Sequence, residues 1–401
     1  MADPARIRLL CEATLRGNWR EGVRAGDSVR YAYTCPSPGH YPWQWYWDSC
    51  FTAIAWRHFD PTRARRELES LLAAQRGDGF IGHTIFWDRP LSGPRRFTYN
   101  VTSPDAPMTA SIQPPLLAWA WRIVVGDPAT NPGIVRHHDW LAAHRDLDGD
   151  GLIWIVQPDE SGLDASSKFD VVWRRQAHSL PGFLLLVRRN RRLDYDLRRI
   201  VDAGGPVCAE VMTNVLYNLS LLALGRPSLT ERIVERMYDE SAGLFHLLAR
   251  PEPARAPAVT WAALAPLALP DLPEAIGRRL VEQHLLDPAE FWLPVPPPSV
   301  SASDPTFSVR DKTLLGPRRY WRGPTWVNAA WLVWLGLVRL GYTAQADEIV
   351  RRIGSAIVSG GLREYYDPHT ARGMGAATFG WSTLVMEMIE PDRRAAASYI
   401  P

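Results

Sequence analysis

DPTRARRELESLLAAQRGDG, residues 60–79, carries the signals that begin, sustain and end a helix. Asp60 can cap the first turn, Pro61 suits the first helical position, three leucines share one face, and two glycines end the segment. The same apolar spacing recurs along the chain, whereas the alternation typical of strands is rare. The sequence therefore predicts a mainly helical protein, with further helices near 3–22, 109–126, 133–145, 207–224, 227–240, 272–285, 324–340 and 343–358.

Four predicted helices end in the same way, with a glycine followed by a large apolar residue. Such a glycine permits a left-handed turn after which the next residue packs over the helix end. The intervals are too uneven for a solenoid of fixed period, so helix pairs closing into a ring with long loops at one end fit better. We expect one domain over 1–401, in which the proline-rich stretch 293–305 is an extended rim loop. The four stretches are RGDGFIGH (76–83), DGDGLIWI (148–155), SAGLFHL (241–247) and SGGLREYY (359–366).

The composition excludes several classes of protein. The 401 residues are 46% hydrophobic and 22% charged with a formal net charge of +2, which is globular and argues against a nucleic-acid partner. Four scattered cysteines without metal spacing favour a reducing cytoplasm, and the N-terminus resembles an amphipathic helix more than an export signal. The most apolar run, WVNAAWLVWLGLV at 326–338, is too short to span a bilayer. We expect a cytoplasmic protein without a membrane partner, and the sequence does not predict its oligomeric state.

Tryptophans occur beside polar residues in three clusters, YPWQWYWD (41–48), IFWDRP (85–90) and YWRGPTW (320–326). An aromatic ring flanked by hydrogen-bonding groups suits the apolar faces and hydroxyl rim of a sugar, although any single tryptophan could equally pack a core. Together the clusters predict a carbohydrate cleft. The candidate binding residues are Tyr41, Trp45, Trp47, Asp48, Gln113, Tyr320, Trp321, Arg322 and Trp381.

Two segments supply candidate catalytic acids. QPDESGLDASSKFD (157–170) contains four carboxylates, and GGLREYYDPHTARGMG (360–375) contains two more. Glycoside hydrolysis needs one protonated acid to help the leaving oxygen depart and one ionised carboxylate, so the two environments must differ. Taken alone, each acid fits a loop carboxylate that makes turn and cap hydrogen bonds better than it fits a catalytic group.

Four ordered motifs resemble the inverting glycosidases of glycoside hydrolase family 63, in particular its small bacterial hydrolases of mannosylglycerate and glucosylglycerate. The resemblance implies an all-α (α/α)6 barrel with long rim loops, acting on α-linked glucosides or mannosides without metal or cofactor. It implies that Asp164 is the general acid and Glu364 the base that activates water, with Trp47 and Asp48 against sugar hydroxyls. The motifs are YPWQWYWDSCF (41–51), DESGLDASSKFD (159–170), YWRGPTWVNAAWL (320–332) and REYYDP (363–368).

The acid segment departs from the family where Ala165, Ser166 and Ser167 replace the usual N-S-P. We expect burial against aromatics and neighbouring negative charge to keep Asp164 protonated. Glu160, Ser161 and Asp170 are expected to fix the loop, whereas Asp159 is expected to be solvated surface.

A glycerate-bearing substrate carries a carboxylate, which calls for cations or hydrogen-bond donors beyond the scissile bond. The segment 83–104 could lie across the entrance as a lid. Candidate partners for the carboxylate are Arg89, Arg95, Arg96 and Tyr99 of this segment, with Arg319 and Arg322 as rivals.

Other functions stay open at this point. A trehalase-like disaccharide hydrolase is the nearest alternative, and a non-catalytic sugar-binding protein would keep the cleft. The D-x-D-D run typical of an isoprenoid cyclase is absent from this sequence. A sugar epimerase would need a pair of histidines, which the sequence does not indicate. RDLDGDGLIWIVQ (145–157) matches the start of a calcium loop, but Gln157 stands where the closing glutamate belongs, so a plain Asp/Gly turn is favoured. Mannose and glucose are not distinguished.

Overall fold

The computed structural model describes residues 3–87, 91, 93–101, 107–251, 258–310 and 320–390. Helices dominate this part of the chain. The α-helices are α1 Pro4–Asn18, α2 Tyr46–Trp56, α3 Pro61–Ala73, α4 Pro94–Thr98, α5 Leu117–Val124, α6 Pro132–Arg145, α7 Asp170–Trp173, α8 Leu180–Arg192, α9 Leu197–Asp202, α10 Val211–Ala223, α11 Thr230–Met237, α12 Glu274–Arg279, α13 Val327–Arg339, α14 Thr343–Gly360 and α15 Val385–Ile389. A π-helical turn, Leu280–Leu285, continues α12, and 3₁₀ turns span Pro128–Thr130, Pro158–Ser161, Ser167–Phe169, Arg174–Ala177, Trp261–Ala268 and Gly380–Leu384.

The strands are short and form antiparallel pairs. The pairs are β1 with β2, β3 with β4, β5 with β8, β6 with β7, and β9 with β10. Their bounds are β1 Trp19–Val23, β2 Arg30–Thr34, β3 Gln44–Trp45, β4 Thr84–Ile85, β5 Val207–Ala209, β6 Tyr238–Asp239, β7 Leu244–Phe245, β8 Leu248–Arg250, β9 Arg363–Tyr366 and β10 Gly373–Ala377.

Six inner segments contact one another in cyclic order and close a ring. The order is α2, α5, α10, Trp261–Ala268, α13 and Gly380–Leu384, and the last packs again on α2. Between consecutive inner segments the chain returns through α3, α6, α11, α12 and α14, and α1 packs outside the last segment. This alternation is the predicted (α/α)6 barrel. Because each outer helix leads back, the inner segments run in the same direction, and the loops before them gather at one end.

The four predicted glycine turns have positive φ, but only one of them directly ends a helix. Gly361 is the C-cap of α14, whereas α3, α6 and α11 end at other residues and their glycines lie in the loops that follow. Gly79, Gly151, Gly243 and Gly361 have φ between 67° and 102°. The repeated glycine pattern therefore marks the turns after outer helices, where the chain leads back toward the next inner segment.

Two helix predictions need correction. The segment 109–126 becomes helical only at Leu117, since prolines at 114 and 115 cannot continue a regular helical hydrogen-bond pattern. Helix α2 was not predicted, because all eleven of its residues are buried and an all-round apolar surface leaves no one-sided period. The sequence YPWQWYWD therefore belongs partly to an inner helix.

The core is continuous around the ring. One hydrophobic cluster extends from Ile7 to Met388 and includes stacked Trp119 and Trp331, whose ring centroids lie 5.2 Å apart. The run 326–338 is the predicted buried helix, α13, with eleven buried residues. Within the described ranges, no helix has the length and apolar character that crossing a membrane requires.

Candidate active site

A cavity of about 230 Å³ lies where the loops leading into the inner segments meet. It is bordered by the start of α2, the residues before α5, the connection between α6 and α10, and the residues before α13 and before Gly380–Leu384. Nine of the eleven predicted site residues line it. They are Tyr41, Trp45, Trp47, Asp48, Gln113, Asp164, Tyr320, Glu364 and Trp381.

Glu364 is held firmly at one side of this cavity. It lies on strand β9 rather than on the expected loop, and it is 3% exposed. The Tyr320 hydroxyl donates to its Oε1, and the Ala376 N–H donates to its Oε2 at 2.8 Å. Gly375, at φ 65°, lies so close that a Cβ there would come 2.5 Å from Oε2. The backbone of the β9–β10 hairpin thus encloses one oxygen, and the phenol orients the other.

Asp164 lies in a buried loop that other side chains anchor. Glu160 forms an ion pair with Arg145 at 2.7 Å and accepts hydrogen bonds from the Ile112 and Val156 N–H groups at 3.0 and 2.8 Å. The Ser161 hydroxyl donates to the Pro158 carbonyl at 2.6 Å. The predicted loop-fixing role of Glu160 and Ser161 matches these contacts. The acid-rich segment is accordingly part of the barrel interior and not a solvated loop.

Arg322 was predicted to contact substrate, but its position does not fit that role. Its guanidinium donates to both oxygens of Asp170, at 2.7 and 2.9 Å, and its Nε donates to the Ala165 carbonyl at 2.6 Å. It is buried and is not among the described residues that line the cavity. Ala165 follows Asp164 directly and has φ 58°, a conformation that non-glycine residues rarely adopt. Arg322 therefore fastens a strained turn beside the candidate acid.

Trp321 also lies outside the cavity lining. It is 1% exposed and stacks on Trp326, with ring centroids 3.7 Å apart and an interplanar angle of 9°. The ring centroid of Trp261 lies 6.2 Å from that of Trp321. Its neighbour Tyr320 points into the cavity, so the chain turns between these adjacent residues and leaves Trp321 in the core below the site.

Two tyrosines connect the candidate acids electrostatically. Burial raises the pKa of Tyr41, and the charges of Glu364 and Asp164 raise it further. Burial likewise raises the pKa of Tyr320 well above its ordinary value, again with contributions from both carboxyl groups. Both phenols therefore stay protonated hydrogen-bond donors. The charges of both candidate acids therefore act on the same two tyrosines.

The start of α2 forms one wall of the cavity. The Trp47 N–H donates to the Gln113 amide oxygen at 2.9 Å, which fixes the helix end against the residues before α5. The Trp47 ring packs against Gly162, where an added Cβ would lie 2.6 Å from ring carbons. Asp48 is buried, and its Oδ1 has no hydrogen-bond partner. Burial, followed by the charge of Glu364, raises the pKa of Asp48 well above its usual range.

Asp159 corrects another expectation, since it lines the cavity instead of facing solvent. Its side chain is 13% exposed, and burial, followed by the charges of Asp164 and Glu160, raises its pKa well above normal. His83 lies nearby, with Nδ1 3.8 Å from Oδ2 of Asp159, and burial lowers its pKa to about 3. That histidine is therefore neutral.

Several further lining residues were not predicted as site residues. The segment 83–104, expected as a lid, contributes His83, Thr84 and 98–100 to the cavity lining, and its residues 88–90, 92 and 102–104 lie outside the described part of the chain. Distant segments also contribute, and among these residues Asp159 and Gly162 belong to the motif at 159–170. The lining residues without a prediction as site residues are Pro36, His83, Thr84, Thr98, Asn100, Thr109, Ser111, Asp159, Gly162, Phe183 and Phe379.

The residues predicted to bind a substrate carboxylate do not all line the cavity. Tyr99 lines the cavity, whereas Arg96 does not. Arg89 and Arg319 lie outside the described residues, and the side chain of Arg95 is likewise not described. The described cavity lining contains no lysine or arginine.

The calcium-like turn is occupied by protein contacts. The Asp146 carboxylate accepts the Gly149, Asp150 and Gly151 N–H groups at 2.7–3.2 Å. Arg236 pairs with both Asp148 and Asp150, and Arg250 pairs with Asp148. These contacts fit the favoured interpretation of a plain Asp/Gly turn.

An (α/α)6 barrel with paired carboxyl groups in an aromatic cavity at the end of its inner ring is the architecture of a glycoside hydrolase. The chain belongs to the mannosylglycerate hydrolase MGH1-like glycoside hydrolase family, whose model matches residues 41–382.

Relatives agree with this assignment. The mannosylglycerate hydrolase of Thermus thermophilus is 31% identical over 89% of this chain and 96% of its own length. The glucosylglycerate hydrolase of Mycolicibacterium hassiacum is 26% identical over 88% and 93%, respectively. A crystal structure of a family 63 mannosylglycerate hydrolase from Thermus thermophilus with Tris and D-glycerate has a TM-score of 0.77 at 27% identity, covering 95% of this chain and 99% of that one.

Proposed function

We propose that this protein hydrolyses an α-linked mannosylglycerate or glucosylglycerate to the free sugar and glycerate, with inversion at the anomeric carbon. Asp164 donates its proton to the glycosidic oxygen as the bond to the anomeric carbon breaks. Glu364 takes a proton from the water that attacks the opposite face of the sugar. The observation that carries this proposal is that both carboxyl groups line one cavity and interact with the same two tyrosines.

The surroundings of Glu364 suit a base. Both its oxygens accept hydrogen bonds, one from a phenol and one from a backbone N–H, and donors of this kind favour the ionised carboxylate. Neither donor is a cation, so the carboxylate keeps the negative charge that withdraws a proton from water. The hairpin also fixes its position, which general base catalysis requires.

The surroundings of Asp164 suit an acid. Asp159 is close enough for its pKa to respond to the charge on Asp164, and this repulsion acts on both groups. Two neighbouring carboxyl groups in a shielded cavity resist carrying two negative charges, so the pair favours retention of a proton. Arg322 supports the turn from outside without placing its guanidinium in the cavity.

The sugar would bind between aromatic rings and buried oxygens. The Trp47 and Trp381 rings pack edge to face with centroids 5.5 Å apart, and Asp48 leaves one oxygen available for a sugar hydroxyl. The glycerate aglycone is inferred from the relatives, two of which are named for mannosylglycerate and glucosylglycerate.

Separate roles for the two acids can be tested with substrates of different leaving-group quality. Purified protein would be incubated with mannosylglycerate, glucosylglycerate and trehalose, and with the α-glycosyl fluoride of the preferred sugar. Fluoride departs with little help from an acid, so Asp164→Asn should retain fluoride hydrolysis while losing about 10²–10⁴-fold on the glycosylglycerate. Glu364→Gln should lose activity on both. Hydrolysis of trehalose alone by the unmodified protein would reject the proposed substrate, and equal losses by both variants on both substrates would reject the roles.

A further inference from the structure

Asp159 lines the cavity and has one oxygen without a hydrogen-bond partner, while a neighbouring amide positions its other oxygen. Oδ1 is buried and has no hydrogen-bond partner. Oδ2 accepts from the Gln157 amide nitrogen at 3.0 Å. The residue is held within the turn Pro158–Ser161, so its direction is fixed by the same loop that carries Asp164.

A chain of donors ends on Asp159. The Arg189 guanidinium donates to the Asn190 amide oxygen at 2.8 Å, and the Asn190 amide nitrogen donates to the Gln157 oxygen at 3.1 Å. Because Gln157 accepts at its oxygen, its nitrogen must face Asp159 as a donor. The chain orients Asp159 as an acceptor, and hydrogen bonds aligned in series strengthen one another.

Asp48 and Asp159 border the cavity on different segments, Asp48 at the start of α2 and Asp159 on the loop that carries Asp164. Beyond the effect of burial, the charge of Glu364 raises the pKa of Asp48, whereas the charges of Asp164 and Glu160 raise that of Asp159. In an inverting mechanism the base lies opposite the leaving group, and the acid lies beside the leaving oxygen. A side chain that neighbours the acid therefore borders the leaving group, which places Asp159 at the aglycone end.

An unpaired carboxylate oxygen needs a hydrogen-bond donor, and among aglycone groups a hydroxyl supplies one. We propose that Asp159 determines aglycone specificity by accepting a hydrogen bond from a hydroxyl of the leaving group, such as the 3-hydroxyl of glycerate. This inference rests on the proposed function. Burial penalises the ionised form of Asp159, and a hydrogen bond donated by a hydroxyl offsets that penalty.

The charges around Asp159 also determine how the aglycone is oriented. A carboxylate placed next to Asp159 would face two carboxyl groups, and the described lining offers no lysine or arginine to compensate. The aglycone carboxylate therefore points away from Asp159, and the hydroxyl points toward it. Neutral His83, whose Nδ1 lies 3.8 Å from Oδ2 of Asp159, provides a polar group at this end of the cavity without adding charge.

The test compares aglycones that differ by one hydroxyl. Substrates are the α-glycosides, of the preferred sugar, of D-glycerate and of D-lactate, the second of which lacks only the 3-hydroxyl. The unmodified protein should favour the glycerate conjugate by about 10- to 100-fold in kcat/KM, and Asp159→Ala should shrink this ratio to within about 3-fold. The ratio is taken on one preparation and is independent of the folded fraction. Asp139→Ala, which removes an exposed carboxylate on α6, should leave the ratio unchanged.

Each outcome bears on the inference. Equal hydrolysis of both conjugates by the unmodified protein, or a discrimination that persists in Asp159→Ala, would overturn it while leaving the proposed function intact. An α-glycosylglycerol conjugate, which keeps the hydroxyls and lacks the carboxylate, separates hydroxyl from carboxylate recognition: if the Asp159→Ala effect disappears with this conjugate, Asp159 contacts the carboxylate and the inference is wrong. Failure to hydrolyse either glycosylglycerate would overturn the proposed function and this inference with it.

Discussion

Removal of Arg322 should reduce both stability and catalysis. Arg322→Ala removes two hydrogen bonds to Asp170 and one to the Ala165 carbonyl. Loss of one partner from a buried ion pair costs about 3–5 kcal/mol. Asp170 is 31% exposed and keeps a hydrogen bond with His178 at 2.9 Å, so the expected loss is nearer about 2–3 kcal/mol. An unfolding entropy of about 2.1 cal/mol/K per residue converts this loss into a fall in Tm of about 3 °C.

Turnover should also fall because Ala165 adjoins Asp164. Once its carbonyl loses the Arg322 contact, the turn at φ 58° can relax and move the acid. A displacement of about 1 Å costs about 10²-fold in rate, so kcat should fall by about that factor with a smaller change in KM. Arg322→Lys should resemble the alanine variant, since one ammonium cannot span Asp170 and the Ala165 carbonyl in the same way.

Arg57 supplies a matched control. It donates two hydrogen bonds of 2.9 Å to buried Glu387, which also contacts His58, so Arg57→Ala removes a comparable bidentate pair outside the cavity lining. Steady-state kinetics and thermal unfolding would be measured on both variants. If Arg322→Ala keeps its kcat while its Tm falls as in Arg57→Ala, the proposed support of the acid turn is refuted.

Two other predictions concern buried positions. Gly162→Ala should lower kcat/KM by at least about 10-fold, because the added Cβ would lie 2.6 Å from the Trp47 ring. Gly204→Ala is the control: Gly204 has a similar φ of 71° but lies in open space, so this variant should lose stability only. Equal kinetics in the two variants would refute the prediction. Burial raises the pKa of Glu67 to about 7, so wild-type stability should fall by about 3 kcal/mol between about pH 4.5 and 7, as the unfolded state gives up its proton first. Glu67→Gln should lack this part of the decline in Tm–pH scans, and an unchanged slope would contradict the assignment.

The helical ring was predictable where each helix has one buried face. Outer helices such as α3 and α14 combine polar and apolar faces, and a glycine turn follows each of them. The inner helix α2 is buried on all sides, so its sequence carries no period that separates it from a buried aromatic loop.

The two candidate acids could be located from motifs that resemble those of family 63, but the direction of neighbouring side chains could not be predicted. Tyr320, Trp321 and Arg322 are consecutive, yet only the first lines the cavity. Asp159 was expected at the surface, but it is half-buried in a turn that fully buries Glu160. His83 precedes strand β4 and Phe183 lies on α8, and both reach the site through tertiary packing that the sequence does not reveal.

The anomeric configuration of the first-formed sugar tests the two-acid mechanism most directly. Proton NMR during the first minutes of hydrolysis of the α-glycosylglycerate would follow the anomeric signals before mutarotation equilibrates them. Attack of water activated by Glu364, opposite a leaving group protonated by Asp164, predicts that the β-anomer appears first. Initial release of the α-anomer would mean retention and would contradict the assigned roles of both residues.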